Sequence, residues 1–354
     1  MNGVGGVGEA CCDAIAHVRD MNHLRLGHKN LTKFVVNPSV HLLGRLGFPK
    51  FCESGAIGMF SADPVGLVTT EAGTIVGRTD NGAQLGYVGV SERVVSLAHR
   101  MLAGAGRANV VAYRLEGQPT LPCLAHGFVP DGRMVMAAAP HPDTAALTPA
   151  GQTVDVRVDI AKFAPDPSVR IVAASAHFLA GLEWLTPGET DELLMTGELP
   201  ELVAAVADTA SGRLAIVSTA RVVVHDGSGA TPLSVDQVRA FGRELGDSIA
   251  AVNTEVVALD AAVSVDPFDL AGMCDAAENG WIPAHLLTRK PSSGGCAHTR
   301  NRDFVVDVDL TGVTVLREGS TATSVYFVPF HRPTSSAQDL ADNLASLLGT
   351  PAAA

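Results

Sequence analysis

The sequence predicts an α+β protein: a six-stranded, closed or nearly closed antiparallel β-barrel over residues 91–230, followed by a smaller α+β unit over 231–350. Three observations predict it. Val154, Val156, Val158 and Ile160 alternate with Asp155, Arg157 and Asp159, which gives one strand an apolar face and a charged face. Ala164-Pro165-Asp166-Pro167 then turns the chain, and a second long run returns through Val169, Ile171, Ala173, Ser175, Phe178, Leu182 and Trp184. Short extended segments with tight turns before and after this hairpin bring the strands to six.

At 354 residues, 47% of them hydrophobic, the chain has material for two cores. A formal net charge of −12 argues against nucleic acid as a main partner, because phosphate binding needs a basic surface. The charge is uneven: residues 1–50 balance to +3, leaving −15 for the rest. No apolar run reaches the roughly eighteen residues a membrane-spanning helix needs, and the first residues lack the basic start and apolar core of a secretory signal. Six scattered cysteines form no CxxC pair, which suits free thiols in a reducing compartment. A cytoplasmic protein without membrane or nucleic-acid partner is expected.

Residues 1–90 hold fifteen of the 36 glycines and show little periodicity, so they read as a poorly structured leader. Gly3-Val4-Gly5-Gly6-Val7-Gly8 satisfies GxGxxG, but only two residues precede it and no strand can deliver the phosphate-binding turn. A helix is expected from Ser91, with Val94, Leu97, Ala98, Met101 and Leu102 at helical spacing. Strands follow at 110–115, 120–128 and 133–139, then a proline-marked loop, then the long hairpin. Residues 188–210 read as a helix split at Pro200, and 213–225 as the sixth strand. Asp226-Gly227-Ser228-Gly229 and Pro232 read as a domain boundary. Beyond it the pattern predicts helices over 235–263 and from Pro267 to near Gly280. Three strands (304–310, 313–317, 324–330) and a last helix starting at Ser335 or Ser336 complete the chain.

Thr120-Leu121-Pro122-Cys123-Leu124-Ala125-His126-Gly127, the alternating run from Val154 to Ile160, and Ala164-Pro165-Asp166-Pro167-Ser168-Val169-Arg170-Ile171 together resemble the split barrel of HugZ-type haem-utilisation proteins. Those proteins belong with the pyridoxamine-phosphate-oxidase-like flavin-binding barrels. Gly312-Val313, then Tyr326-Phe327-Val328-Pro329-Phe330-His331-Arg332-Pro333 and Asp339-Leu340, resemble the small C-terminal domain of unknown function that accompanies this barrel. The resemblance covers about residues 91–350. It implies a homodimer with flavin mononucleotide (FMN) or haem near the barrel interface. One branch of the family is oxidoreductase and degrades haem; the resemblance equally admits a non-catalytic haem-binding or protein-binding regulatory module, or a flavin-dependent reductase of another small molecule. Two departures from the family pattern stand out: the clustered His and Asp that commonly open the second domain are reduced to His285 with Asp275, and Pro351-Ala352-Ala353-Ala354 carries no histidine.

Flavin phosphate needs cationic or hydroxyl donors on a rigid strand. Arg157 and Arg170 flank the central turn with planar forks suited to phosphate, and Ser175 adds a hydroxyl. Pairing of Arg157 with Asp155, Asp159 or a neighbouring strand on a charged face is the favoured reading, since charged pairs on strands are common. Neutral histidine can ligate iron, and His126, His177 and His331 fall at strand positions in the matched region. The expected cofactor set is therefore Arg157, Arg170, Ser175, His177 and His126. No histidine pair has metal spacing, so no dedicated metal site is expected; Cys296-Ala297-His298 could hold a soft metal only with ligands from elsewhere. No nucleophile elbow, Walker loop or HExxH motif is present. Asp307 and Asp309 read as a solvated strand face. Val172, Ala174, Phe178 and Trp184 read as apolar surplus that a dimer interface would cover.

Overall fold

A computed structural model describes residues 90–166, 169–252, 254–292 and 299–349; the expected leader with its glycine motif, and the Cys296–His298 pair, lie outside them. The chain begins with α1 (Val90–Leu102), β1 (Arg107–Val111), β2 (Thr120–Leu121), β3 (Cys123–Phe128), β4 (Met134–Ala138) and α2 (Pro142–Leu147). The central hairpin is β5 (Thr153–Phe163) and β6 (Val172–Trp184), followed by α3 (Pro187–Thr196), α4 (Glu201–Ala207), β7 (Arg213–Ser218), β8 (Arg221–Asp226) and β9 (Gly229–Ser234). Then come α5 (Val235–Val252), α6 (Glu255–Val263), α7 (Pro267–Glu278), β10 (His285–Pro291), β11 (Arg302–Val308), β12 (Gly312–Glu318), β13 (Ala322–Pro329) and α8 (Ala337–Leu348). The class is α+β, as the sequence predicts.

The first sheet has nine strands, in the order β2-β1-β5-β6-β7-β4-β3, with β8 and β9 attached to β6. Its pairings make an open path with a side branch, where the sequence reading expected six strands in a closed or nearly closed barrel. The expected sixth strand is two strands, β7 and β8, broken at Thr219-Ala220. The length of β6 explains the break. Its C-terminal end, Gly181–Trp184, pairs β7, whereas Ser175–His177 pairs β8. One 13-residue strand thus supports two partners that leave in different directions.

The alternation in β5 sorts its side chains as expected: Val154, Val156, Val158 and Ile160 are buried, and the residues between them face outward. They pack with Ala176, Phe178, Ala180, Leu182 and Trp184 of β6 and with Leu97, Met101 and Leu102 of α1. Ala174, Phe178 and Trp184 are therefore core residues, and the apolar surplus expected of them is absorbed within the chain. Gly106 makes the tight entry to β1 possible. Its φ of +88° favours glycine, and a Cβ there would lie 2.7 Å from the Ala161 carbonyl oxygen. The outer face of β3, β4 and β7 is covered by Leu193 and Leu194 of α3, Leu199 of the α3–α4 link, and Val203 and Ala207 of α4. Helix α3 starts at a capping box between Thr186 and Glu189, with Pro187 in its first turn.

The second sheet runs β10-β13-β12-β11, so a fourth strand, β10, joins the three read from the sequence. On one face Val305, Val308, Val313, Val315, Tyr326 and Val328 pack against α6, α7 and α8. The other face presents Phe304, Val306, Leu316 and Val325 to Ala164, Ile171 and Ala173 at the tip of the β5–β6 hairpin. Residues 226–229, read as a domain boundary, form the turn of the β8–β9 hairpin, and a Cβ on Gly227 would come within 3.0 Å of Val325. Asp307 and Asp309 are likewise buried, at 6% and 5% exposure, where a solvated face was expected. They meet Arg100 and Lys162, charges from the opposite sheet and α1 that a single-strand pattern cannot reveal. Among the described residues no helix is long and apolar enough to cross a membrane.

Candidate functional site

Strands β5, β6 and β8 lie side by side and share an outward face. Their register sets Arg157 opposite Leu179, Asp159 opposite His177, and Ala161 opposite Ser175. On the other side of β6, Val223 stands opposite His177, and His225 opposite Ser175. The period of two that buries Val158 and Ile160 inward is what turns Arg157 and Asp159 outward together.

The polar groups on this face form a chain. Arg157 Nε donates to Asp159 Oδ2 at 3.0 Å. Asp159 Oδ1 lies 2.6 Å from His177 Nδ1, and His177 Nε2 lies 3.0 Å from Ser175 Oγ. A carboxylate at Nδ1 fixes the tautomer: Nδ1 carries the proton, and Nε2 accepts from the serine hydroxyl. The His225 ring packs edge-on to His177, with centroids 5.1 Å apart. Burial, then the neighbouring His177, lowers the His225 pKa against an opposing pull from Asp226.

Beside this chain lies an open groove of about 540 Å³, lined by Arg157, His177, Phe178, Leu179, Arg221 and Val223 among others. Its floor is apolar, and Leu179 is 60% exposed. An arginine stands on each flanking strand. The groove thus offers one oriented imidazole, apolar strand surface and two cations.

The order Asp159–His177–Ser175 also matches that of a nucleophile triad. Ser175 sits within β6 between β5 and β8, where backbone N–H groups are committed to strand pairing. Free amides for an oxyanion hole are therefore not provided by its own strand.

Of the five residues expected to hold a cofactor, Arg157, Ser175 and His177 come together here. Arg170 does not: its guanidinium lies over the Phe163 ring at 4.8 Å, at the far end of β5. Phe163 is six residues from Arg157, which is about 20 Å along a strand. His126 is buried in β3, and its Nε2 lies 2.8 Å from the Met101 carbonyl oxygen. Burial lowers its pKa, and it packs as a neutral interior residue. His331 is exposed just beyond β13. Arg221 and His225 belong to the face but were not singled out in the sequence; Asp159 was expected only as a charged partner of Arg157, which it is. The Asp159–His177 pairing cannot be counted out from the turn prolines: Asp159 stands five residues before Ala164 and His177 ten after Pro167, and a register shift lies between Lys162 and Phe163.

No family model matches the chain, and no curated protein matches it. Among solved structures it is similar to a heme binding protein from Mycobacterium smegmatis, at 14% identity and a TM-score of 0.38, over 72% of this chain and 95% of that one. A protein of unknown function from Agrobacterium tumefaciens strain C58 is similar at 13% identity and a TM-score of 0.29, over 72% of this chain and 94% of that one. Likeness this remote does not transfer a ligand.

Proposed function

We propose that this chain is a haem-binding protein, a HugZ-like split barrel that uses His177 as the iron ligand on the outer face of β5, β6 and β8. The observation that carries this reading is the Asp159–His177 pair at 2.6 Å. A histidine ligand characteristically gives its second ring N–H to a carboxylate, which fixes the ring and raises the basicity of the ligating nitrogen. Asp159 meets Nδ1, so Nε2 is the ligating atom, and it is held meanwhile by the Ser175 hydroxyl, a group that can rotate away. Arg157 and Arg221 suit the two carboxylates of haem, and Leu179 and Val223 suit its apolar ring.

Flavin mononucleotide suits this arrangement less well. A phosphate clamp needs Arg157 and Arg170 together, yet Arg170 lies over Phe163 at the far end of β5. The bound iron would supply the redox and ligand-binding chemistry. The residues of this chain bind it, orient it and exclude water from one face. Because the groove is open, a second copy of the chain is the proposed cover for the other face, making the working form a homodimer. A cytoplasmic setting suits the unpaired Cys123 and Cys274.

Haem titration tests this reading. Wild type should develop a Soret band that saturates at one haem per chain, and His177→Ala should shift or abolish it. An unchanged band in His177→Ala would overturn the assignment of the ligand. Loss of the band on adding a reductant and oxygen, with release of iron, would add haem degradation to binding.

A further inference from the structure

We propose that a cleft between α1, the β3–β4 turn, the α3–α4 link and α5 is a second ligand site, one that takes a planar aromatic ring bearing a phosphate or carboxylate. The cleft encloses about 540 Å³, within the ~300–1,000 Å³ usual for small-molecule sites. It shares no lining residue with the His177 groove.

One wall is aromatic. The His99 ring of α1 stacks with Phe128 at 6.1 Å and 22°, and Phe241 of α5 meets it edge-on at 5.8 Å. Burial, then the adjacent Arg100, lowers the His99 pKa, so the imidazole is neutral near pH 7 and presents an uncharged ring. Its Nδ1 is buried without a hydrogen-bond partner. The approach of α5 depends on Gly242, where a Cβ would lie 2.4 Å from His99 Nε2. Val129, Pro130, Leu199 and Pro200 add rigid apolar surface.

The anion end comes from α5. Arg239 and Arg243 are four residues apart, hence neighbours on one helix face, and both line the cleft. Arg239 Nε is buried without a hydrogen-bond partner, its Nη1 reaches Asp236 at 3.5 Å, whose side chain is 92% exposed, and its charge also acts on Asp131. The aliphatic part of Arg239 lies close to Gly132 in the β3–β4 turn, which holds the head group in place. Two carboxylates also line the cleft. Asp131 is already engaged by Arg133 at 2.6 Å, and Glu198 lies on the α3–α4 link. A ring against the imidazole wall with its anionic group on the two guanidinium forks uses every one of these features.

The test is isothermal titration of the full chain with adenosine monophosphate, benzoate, adenosine and inorganic phosphate. Adenosine monophosphate or benzoate should bind at a single site, with adenosine and phosphate alone at least tenfold weaker. Arg239→Gln with Arg243→Gln should weaken that binding at least tenfold while leaving the circular dichroism spectrum unchanged. Binding of adenosine monophosphate alone identifies a phosphate ligand, and of benzoate alone a carboxylate. Failure of both to bind at millimolar concentration, or equal binding by the double variant, overturns the proposal.

Discussion

Arg100 of α1 and Asp307 of β11 form a two-pronged ion pair, at 3.0 and 2.5 Å, that joins the first sheet's covering helix to the second sheet. Lys162 of β5 adds contacts of 3.0 Å to Asp307 and 2.8 Å to Glu255, and Arg93 pairs with Asp226 nearby. All of these side chains except Glu255 are almost wholly buried. Burial alone would raise the Asp307 pKa, but Arg100 and Lys162 outweigh it and hold the carboxyl well below its usual range. A carboxyl depressed by folding contributes stability above its unfolded pKa of 3.8 and loses that contribution as pH falls toward the folded value. The urea midpoint should therefore drop below about pH 4, and Asp307→Asn should flatten that part of the pH profile. At neutral pH, Asp307→Ala should cost about 3–5 kcal/mol, because two buried cations lose the carboxylate they share. Urea unfolding curves for the wild type and both variants, recorded from pH 3 to 7, check both expectations.

Trp184 is 1% exposed at the end of β6, with the Arg213 guanidinium 4.5 Å from its ring and its Nε1 buried without a partner. Trp184→Ala leaves a large cavity and should cost about 3–5 kcal/mol. Trp184→Phe keeps most of the packing and removes the unsatisfied donor, so it should cost clearly less. Chemical denaturation of the two variants separates packing from polar burial.

Burial pushes the Cys123 thiol up to about 12 against an opposing pull from the Ala125 backbone. The reactive thiolate is thus scarce at pH 8. Site-resolved mass spectrometry after brief treatment with iodoacetamide should find Cys123 largely unmodified in folded protein and readily modified in urea.

How much of this was legible in the sequence follows from how far each feature reaches along the chain. The β5–β6 hairpin was legible because strand period and turn prolines are local; its register was not, because a shift between Lys162 and Phe163 and an asymmetric turn set Asp159 opposite His177. The split of 213–225 into β7 and β8 was not legible, since it answers to the length of β6, more than thirty residues earlier. Asp307 and Asp309 read as solvated because strand alternation says which residues share a face, not what covers it. Their partners Arg100 and Lys162 are more than 140 positions away. Arg157 and Arg170 looked convergent because both flank one turn, but β5 runs the length of the hairpin between them.

The carboxylate behind His177 provides a graded test of the haem site. Asp159→Asn keeps the shape of the pair but weakens the hold on Nδ1, and loss of such a partner typically lowers metal affinity about 10–100-fold. Ser175→Ala removes the group that holds Nε2, so haem should bind at least as tightly as in wild type. Were Ser175 a phosphate donor to flavin instead, the same change would weaken flavin binding. Equilibrium titration of both variants with haem and with flavin mononucleotide distinguishes the outcomes.

The most direct test of the central claim is rescue of His177→Gly by imidazole. The variant, mixed with haem, should lack the wild-type Soret band. Adding imidazole should restore it, because the free ligand occupies the space left beside Asp159. A His177→Gly protein that binds haem with the wild-type spectrum in the absence of imidazole would contradict the claim that His177 holds the iron.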